Sequence, residues 1–120
     1  MIFLGITLIE NKMLKIDYSY IEVLADGDDE FMKEYLETFE SNYKTLTAKM
    51  LDELKGKDFI ALGKTAHQLK PTAKMIQIPC GEELEFLQHN PKEATKEKIE
   101  AIRSECEEAY GELKKWAKVS

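Results

Sequence analysis

The sequence has only two cysteines and lacks strand-like alternation of useful length, internal repeats and low-complexity segments. Cys80 and Cys106 are not spaced as metal ligands are, and no Gly-rich phosphate loop is present. We therefore expect both cysteines to be reduced, buried small hydrophobes in a reducing compartment. These absences argue against a cysteine-based metal site and against a P-loop nucleotide site.

The chain also has fewer basic than acidic residues, with 17 Lys plus Arg and 23 Asp plus Glu, and its net charge is −6. A nucleic-acid partner is not expected, since it requires a basic footprint. The hydrophobic run at residues 1–9 is too short to span a bilayer and lacks the features of a signal peptide. We expect a cytoplasmic protein with no membrane partner, in which residues 1–14 are an N-terminal extension and residues 15–120 are one domain. The extension is either an added cap or a disordered tail.

What the sequence does contain is helical periodicity. Three stretches carry apolar residues at alternating steps of four and three, which is typical of one face of an amphipathic helix. These positions are Met32, Leu36, Phe39, Tyr43, Leu46 and Met50; Phe59, Leu62, Ala66, Leu69, Ala73 and Ile76; and Ile99, Ile102, Cys106, Ala109, Leu113 and Trp116. A shorter helix is predicted between Pro79 and Asn90, and a leading helix at about residues 18–25. Because short links favour antiparallel neighbours, the sequence predicts an all-α, up-down four-helix bundle with a short extra N-terminal helix.

Capping residues predict where these helices begin and end. Asp28 is placed to cap the first long helix, and Gly56 followed by Asp58 predicts a stop and a new start. Asn90 is predicted to be the N-cap of the last long helix, with Pro91 at its first position.

One helix is basic in this acidic chain. Residues 57–77 hold four lysines and one acid, so the segment carries +3 and the remainder −9 of the total −6. At about 100° per residue, His67 points roughly 130° away from the apolar stripe and is expected to reach solvent. The residues that share its side of the helix are Ile60, Gly63, Lys64, Lys70, Pro71 and Lys74.

These residue types fit phosphoryl chemistry on an imidazole. A neutral histidine is a competent nucleophile, and phosphoryl transfer needs mainly positioning and charge neutralisation, which Lys70 can give from one turn away. Gly63 has no side chain and is expected to let a partner approach, while Ile60 and Pro71 add apolar surface. A lone helical histidine is usually a polar surface residue, however, so the residues alone leave both interpretations open.

The run Ala66-His67-Gln68-Leu69-Lys70 resembles the signature of histidine phosphotransfer (HPt) domains, in which an apolar residue and then a Lys follow the His by two and three positions. The segment at residues 16–31, with its acidic Gly-Asp turn, resembles the start of such domains, and the resemblance covers roughly residues 15–118. It implies that His67 is the phosphoacceptor through Nε2, that Lys70 steadies the phosphate and that Gln68 is a minor polar neighbour.

The resemblance also implies partners. Phosphoryl donors and acceptors would be aspartates of response-regulator receiver domains, alone or within a hybrid sensor histidine kinase. Receivers bring their own Mg²⁺, so no cofactor or metal is expected on this chain. The chain would be a monomeric covalent phosphocarrier and not an enzyme with its own turnover, and it would dock through Ile60, Gly63, Lys64, Gln68, Pro71 and Lys74. The alternative is a helical-bundle adaptor that binds receivers or other partners without being phosphorylated.

Two positions depart from the HPt pattern. Pro71 stands where the family commonly has Gly, and it removes a hydrogen bond from the His67 carbonyl, so we predict a kink there. A tolerated kink without mechanistic meaning is equally open. Gln77 replaces a small residue, usually Gly, ten positions after the His. Both changes concern the docking surface and leave the nucleophile in place.

The second histidine is not expected to carry chemistry. His89 lies at the predicted end of the short helix, where the helix dipole favours a solvated basic side chain. Neither His67 nor His89 has a Glu three residues earlier, so a di-metal carboxylate bundle is not predicted.

Overall fold

The computed structural model describes residues 14–117, which form five α-helices and one 3₁₀ turn without any strand. The helices are α1 (Ser19–Ala25), α2 (Asp29–Lys55), α3 (Phe59–Lys74), α4 (Cys80–His89) and α5 (Lys96–Ala117), and the 3₁₀ turn is Pro91–Glu93. The predicted all-α class is confirmed for this part of the chain. The predicted N-terminal extension lies outside the described residues, apart from Leu14.

The core is built from the apolar stripes that the periodicity predicts. The apolar side chains buried on the three long helices are Met32, Leu36, Phe39, Tyr43, Met50, Leu62, Ala66, Leu69, Ala73, Ile99, Ile102, Cys106, Ala109 and Leu113. Leu46 and Trp116 are half-buried at the edge of this core, and Phe59 at the start of α3 is also half-buried. α4 contributes Cys80, Leu84 and Leu87, as predicted. Burial of these faces stabilises the helices, because in proteins most helical stability comes from tertiary packing of an amphipathic face.

α3 lies between two neighbours. It packs against α2 on one side and α4 on the other, while α5 packs chiefly against α2. The side of α3 that these contacts leave uncovered carries Lys64, His67 and Gln68, all of which are exposed. No helix within residues 14–117 combines the length and the apolar character that a membrane crossing requires.

Two of the predicted N-caps are confirmed. The Asp28 carboxylate accepts hydrogen bonds from the backbone N–H groups of Glu30 and Phe31 at 3.0 and 3.2 Å. The Asp58 carboxylate accepts one from Ala61 at 3.2 Å and so fixes the start of α3.

The start of α5 differs from the prediction. Asn90 precedes the 3₁₀ turn Pro91–Glu93, and α5 begins only after Thr95, whose hydroxyl accepts from the backbone N–H of Lys98 at 3.1 Å. The side-chain amide of Asn90 instead donates to the carbonyl of Phe86 at 3.1 Å, at the end of α4. The prediction that Asn90 caps the last long helix is therefore wrong, because a second cap five residues later sets the start.

α2 ends at Lys55, just before Gly56, as predicted, but its left-handed residue comes one position later. Gly56 has φ −84°, whereas Lys57 has φ +57°. The backbone N–H of Asp58 donates to the carbonyl of Glu53 at 2.9 Å, which is the six-to-one bond of a Schellman motif. A lysine in this conformation is strained relative to glycine.

Lys57→Gly is expected to raise the free energy of unfolding by about 0.5–1 kcal/mol, because relief of the strain exceeds the added backbone freedom of the unfolded chain. Urea denaturation measures the change. The matched control is Lys55→Gly, because Lys55 has a helical conformation. This variant should lower the free energy of unfolding by about 1 kcal/mol. A loss of stability in Lys57→Gly would contradict the left-handed assignment.

Candidate functional site

His67 lies on the exposed side of α3. Ala66 and Leu69 beside it are fully buried, so the packing of α3 turns the imidazole outward. The predicted exposure of His67 is confirmed. α3 runs through Pro71 to Lys74, and the Pro71 carbonyl accepts from Met75 at 2.9 Å. A kink at Pro71 stays a prediction.

An open pocket of about 480 Å³ adjoins the imidazole. One wall is α3, and the other is the end of α4 with the proline that follows it. The residues that line it are Phe59, Ile60, Gly63, Lys64, His67, Gln68, Gln88 and Pro91. Five predicted site residues are therefore brought to one surface. The pocket combines an imidazole, an ammonium group and two amides with apolar side chains, of which Ile60 is 77% exposed.

Lys70 is held beside this pocket by α4. Its ammonium group donates to the side-chain oxygen of Gln88 at 2.8 Å, and both residues are half-buried. Gln88 itself lines the pocket next to His67. The contact therefore restrains the cation one turn from the imidazole. Sequence reasoning missed Gln88, because a polar residue near the end of a short helix gives no signal that it faces a lysine of another helix.

Gly63 has a different role from the predicted one. It is buried, and a Cβ atom at this position would lie 3.0 Å from the backbone oxygen of Gln88 and 3.6 Å from Cγ of Pro91. The space that the missing side chain leaves is thus occupied by α4 and the following turn. The sequence predicts that the missing side chain of Gly63 leaves room for a partner. That interpretation is wrong, because α4 and the following turn of the same chain fill the space, and Gly63 instead permits the close packing that forms the pocket wall.

Lys74 lies away from the pocket. Its ammonium nitrogen is 2.9 Å from a carboxylate oxygen of Glu82 and 3.4 Å from one of Glu85, both on α4. The hydrogen bond with Glu82 raises the pKa of Lys74, and burial partly offsets this. The charge of Lys74 is therefore largely compensated within the chain. Pro71 is exposed but also does not line the pocket.

Gln77 lies at the end of α3 and not in the pocket. It has φ +56°, and the backbone N–H of Ile78 donates to the carbonyl of Ala73 at 3.2 Å, again a Schellman bond. Its side chain donates to the carboxylate of Asp17 at 3.1 Å. Glycine would adopt this φ with less strain than Gln77, and Gln77 is not among the residues that line the pocket beside His67.

His89 is exposed and lines a neighbouring pocket of about 330 Å³ that shares Phe59, Ile60 and Pro91 with the first. Its position at the last residue of α4 is the predicted one. The apolar surface around Ile60 thus extends from His67 to His89.

Within residues 14–117, no three His, Cys, Asp or Glu side chains gather as they would around a metal ion. No family model, curated protein or solved structure matches the chain. Its function is therefore inferred from the fold and from the surface around His67.

Proposed function

We propose that this chain is a cytoplasmic histidine phosphotransfer protein of the two-component type. In this proposal α2 to α5 make an antiparallel four-helix bundle, and α1 is the extra N-terminal helix. The observation that carries it is the exposed imidazole of His67 in the middle of a helix, beside an open pocket and one turn from a restrained lysine. The chain is then a covalent carrier with receiver domains as its partners.

The proposed step is an in-line transfer from a receiver aspartyl phosphate. Nε2 of neutral His67 attacks phosphorus, the bond from phosphorus to the aspartate oxygen breaks, and the aspartate leaves as a carboxylate. The reverse step returns the phosphoryl group to another receiver. Such a transfer requires an imidazole that a second protein can reach, which the exposed side of α3 offers.

Charge supports this role for the surface. Lys64 is exposed at the pocket and Lys70 is restrained beside it, so two cations lie near the position of a phosphoryl group on His67. Cations placed where charge develops stabilise phosphoryl transfer. They also complement the acidic pocket of a receiver, while exposed Ile60 adds an apolar contact at the same surface.

The test is incubation of the purified chain with a receiver that has been phosphorylated by a small-molecule phosphodonor carrying radioactive phosphate. We expect label on this chain that is stable in alkali and lost in acid, which is characteristic of phosphohistidine. Binding of the receiver without any movement of label would instead indicate an adaptor. Loss of label from the receiver as inorganic phosphate, with none on this chain, would also contradict the proposal.

Lys70→Ala is expected to slow transfer roughly tenfold without abolishing it, because one cation near the transferred group is lost while the nucleophile remains. Rapid-quench measurement of label on the chain gives the rate. Lys74→Ala is the matched control, since Lys74 is engaged by Glu82 and Glu85 and should keep a rate within about threefold of wild type. Equal rates for the two variants would refute the role of Lys70.

A further inference from the structure

The two cysteines form a site that the proposed function does not use. Cys80 is the first residue of α4 and Cys106 lies in the middle of α5, and their sulfur atoms are 3.9 Å apart. Both are free thiols and both are buried, as the sequence predicts. The sequence does not predict that they lie close together, because a helix end and a 3₁₀ turn separate them along the chain.

We propose that Cys80 and Cys106 are a dithiol site that closes to an intrachain disulfide when the protein meets a peroxide. A disulfide requires a sulfur separation of about 2.05 Å, so the two atoms must approach by about 2 Å. This approach requires side-chain rotation and a small shift of α4. The pair lies between two helices, so closure would join α4 covalently to α5.

A cleft beside the pair gives the oxidant a route to one sulfur. It has a volume of about 260 Å³ and is lined by Pro79, Cys80, Glu83, Lys98, Ala101, Ile102 and Glu105. Cys80 is 4% exposed and lines this cleft, whereas Cys106 is 0% exposed and lies behind it. Cys80 is therefore the thiol that reacts first, and Cys106 is the one that resolves the product.

The proposed chemistry is a two-electron oxidation by hydrogen peroxide. The Cys80 thiol loses its proton, the thiolate attacks one peroxide oxygen, and the O–O bond breaks to give a sulfenic acid and water. Cys106, losing its own proton, then attacks the sulfur of Cys80, the S–O bond breaks, and hydroxide leaves as water. In total two thiols and one peroxide give one disulfide and two waters.

The surroundings of Cys80 make this reaction slow at neutral pH. The hydrogen bond with Cys106 raises the pKa of the Cys80 thiol, and burial and nearby Glu105 act in the same direction. A helix N-terminus ordinarily favours a thiolate, but here the Glu105 carboxylate accepts from the backbone N–H of Cys80 and opposes that effect. The other charged groups that face the cleft are Glu83 and Lys98.

These properties fit a disulfide that forms slowly and then persists, and they do not fit a rapid redox sensor. The thiolate is scarce at neutral pH, so closure needs sustained exposure to oxidant and accelerates as pH rises. The same burial shields the finished bond from reducing thiols. α4 packs mainly against α3 and less against α5, so a covalent link between α4 and α5 adds a constraint that packing supplies only weakly.

The experiment exposes the reduced, folded protein to hydrogen peroxide and follows intact mass, free thiols and Tm. We expect a loss of about 2 Da without dimerisation and a rise in Tm of about 10 °C. Oxidation of the Cys106→Ala variant should stop at the sulfenic acid of Cys80, which dimedone traps. The proposal is overturned if both thiols of the folded protein persist while a urea-unfolded control oxidises, or if the products are only oxygen adducts or dimers.

Glu105→Gln tests the order of attack. It keeps an oxygen that can accept from the Cys80 backbone N–H and removes the negative charge, so oxidation at pH 7 should become at least about threefold faster. Glu108→Gln on the exposed side of α5 is the matched control and should match wild type. Equal rates in Glu105→Gln and Glu108→Gln would overturn the assignment of Cys80 as the attacking thiol. None of these measurements depends on phosphotransfer.

Discussion

His67→Gln is expected to lower phosphate incorporation from a phosphorylated receiver to background, at least about a thousandfold below wild type. The glutamine amide nitrogen is delocalised into its carbonyl and cannot attack phosphorus, whereas its size and polarity resemble those of the imidazole. Because His67 is exposed, the free energy of unfolding should change by no more than about 0.5 kcal/mol. Label on the chain, measured after an alkaline quench, and urea denaturation test both expectations.

His89→Gln is the matched control for this experiment. His89 is the other histidine of the chain, is also exposed, and borders a pocket that shares Phe59, Ile60 and Pro91 with the pocket of His67. Its variant should keep wild-type labelling, so a general effect of removing a histidine near the docking surface is separated from loss of the nucleophile. If label persisted in His67→Gln and disappeared in His89→Gln, the phosphoacceptor would be His89, and the assignment of His67 would be wrong.

The lysines of α3 differ in how free their ammonium groups are to interact with an anion, and composition alone does not indicate this difference. Lys74 is engaged by two carboxylates, Lys70 by a neutral amide, and Lys64 is exposed at the pocket. The positive charge that a phosphoryl group on His67 would meet therefore comes from Lys64 and Lys70. A neutral partner holds Lys70 in place without neutralising it, so the full charge stays available to an anion.

The sequence was sufficient to predict which face of each helix is buried. A period of 3.6 residues places Phe39 and Met50, or Leu62 and Leu69, on one side, and that side must be buried whatever covers it. The exposure of His67 follows from the same geometry. The caps at Asp28 and Asp58 were predictable because they depend only on residues within one turn.

Contacts between helices could not be predicted in the same way. The period of α4 gives its buried face, but it does not give the crossing of α4 over α3 that joins Gln88 to Lys70. The approach of Cys80 to Cys106 depends likewise on how α4 and α5 are placed. The error at Asn90 has a local cause, since two capping sequences lie close together and the sequence alone does not say which of them starts the long helix.

Gly63→Val is expected to lower the free energy of unfolding by about 2–3 kcal/mol, because its Cβ would lie 3.0 Å from the backbone oxygen of Gln88 and the two methyl groups need further space. A backbone atom cannot move aside as the end of a flexible side chain can. α4 must therefore shift away from α3, which stretches the contact of Gln88 with Lys70 and also slows phosphate transfer. Urea denaturation and the receiver assay measure the two effects.

Gly111→Val separates this steric effect from the general consequence of replacing a helical glycine. Gly111 lies within α5, and a Cβ atom there would have no neighbour within 4 Å, so helix propensity dominates and valine should be neutral or slightly stabilising, by less than about 0.5 kcal/mol. The difference between the two variants then measures the contact of Gly63 with α4. If Gly63→Val were as stable as Gly111→Val and transferred phosphate at the wild-type rate, the contact of Gly63 with the Gln88 backbone could not be a tight one. The position of Gln88 beside Lys70 would then need another cause.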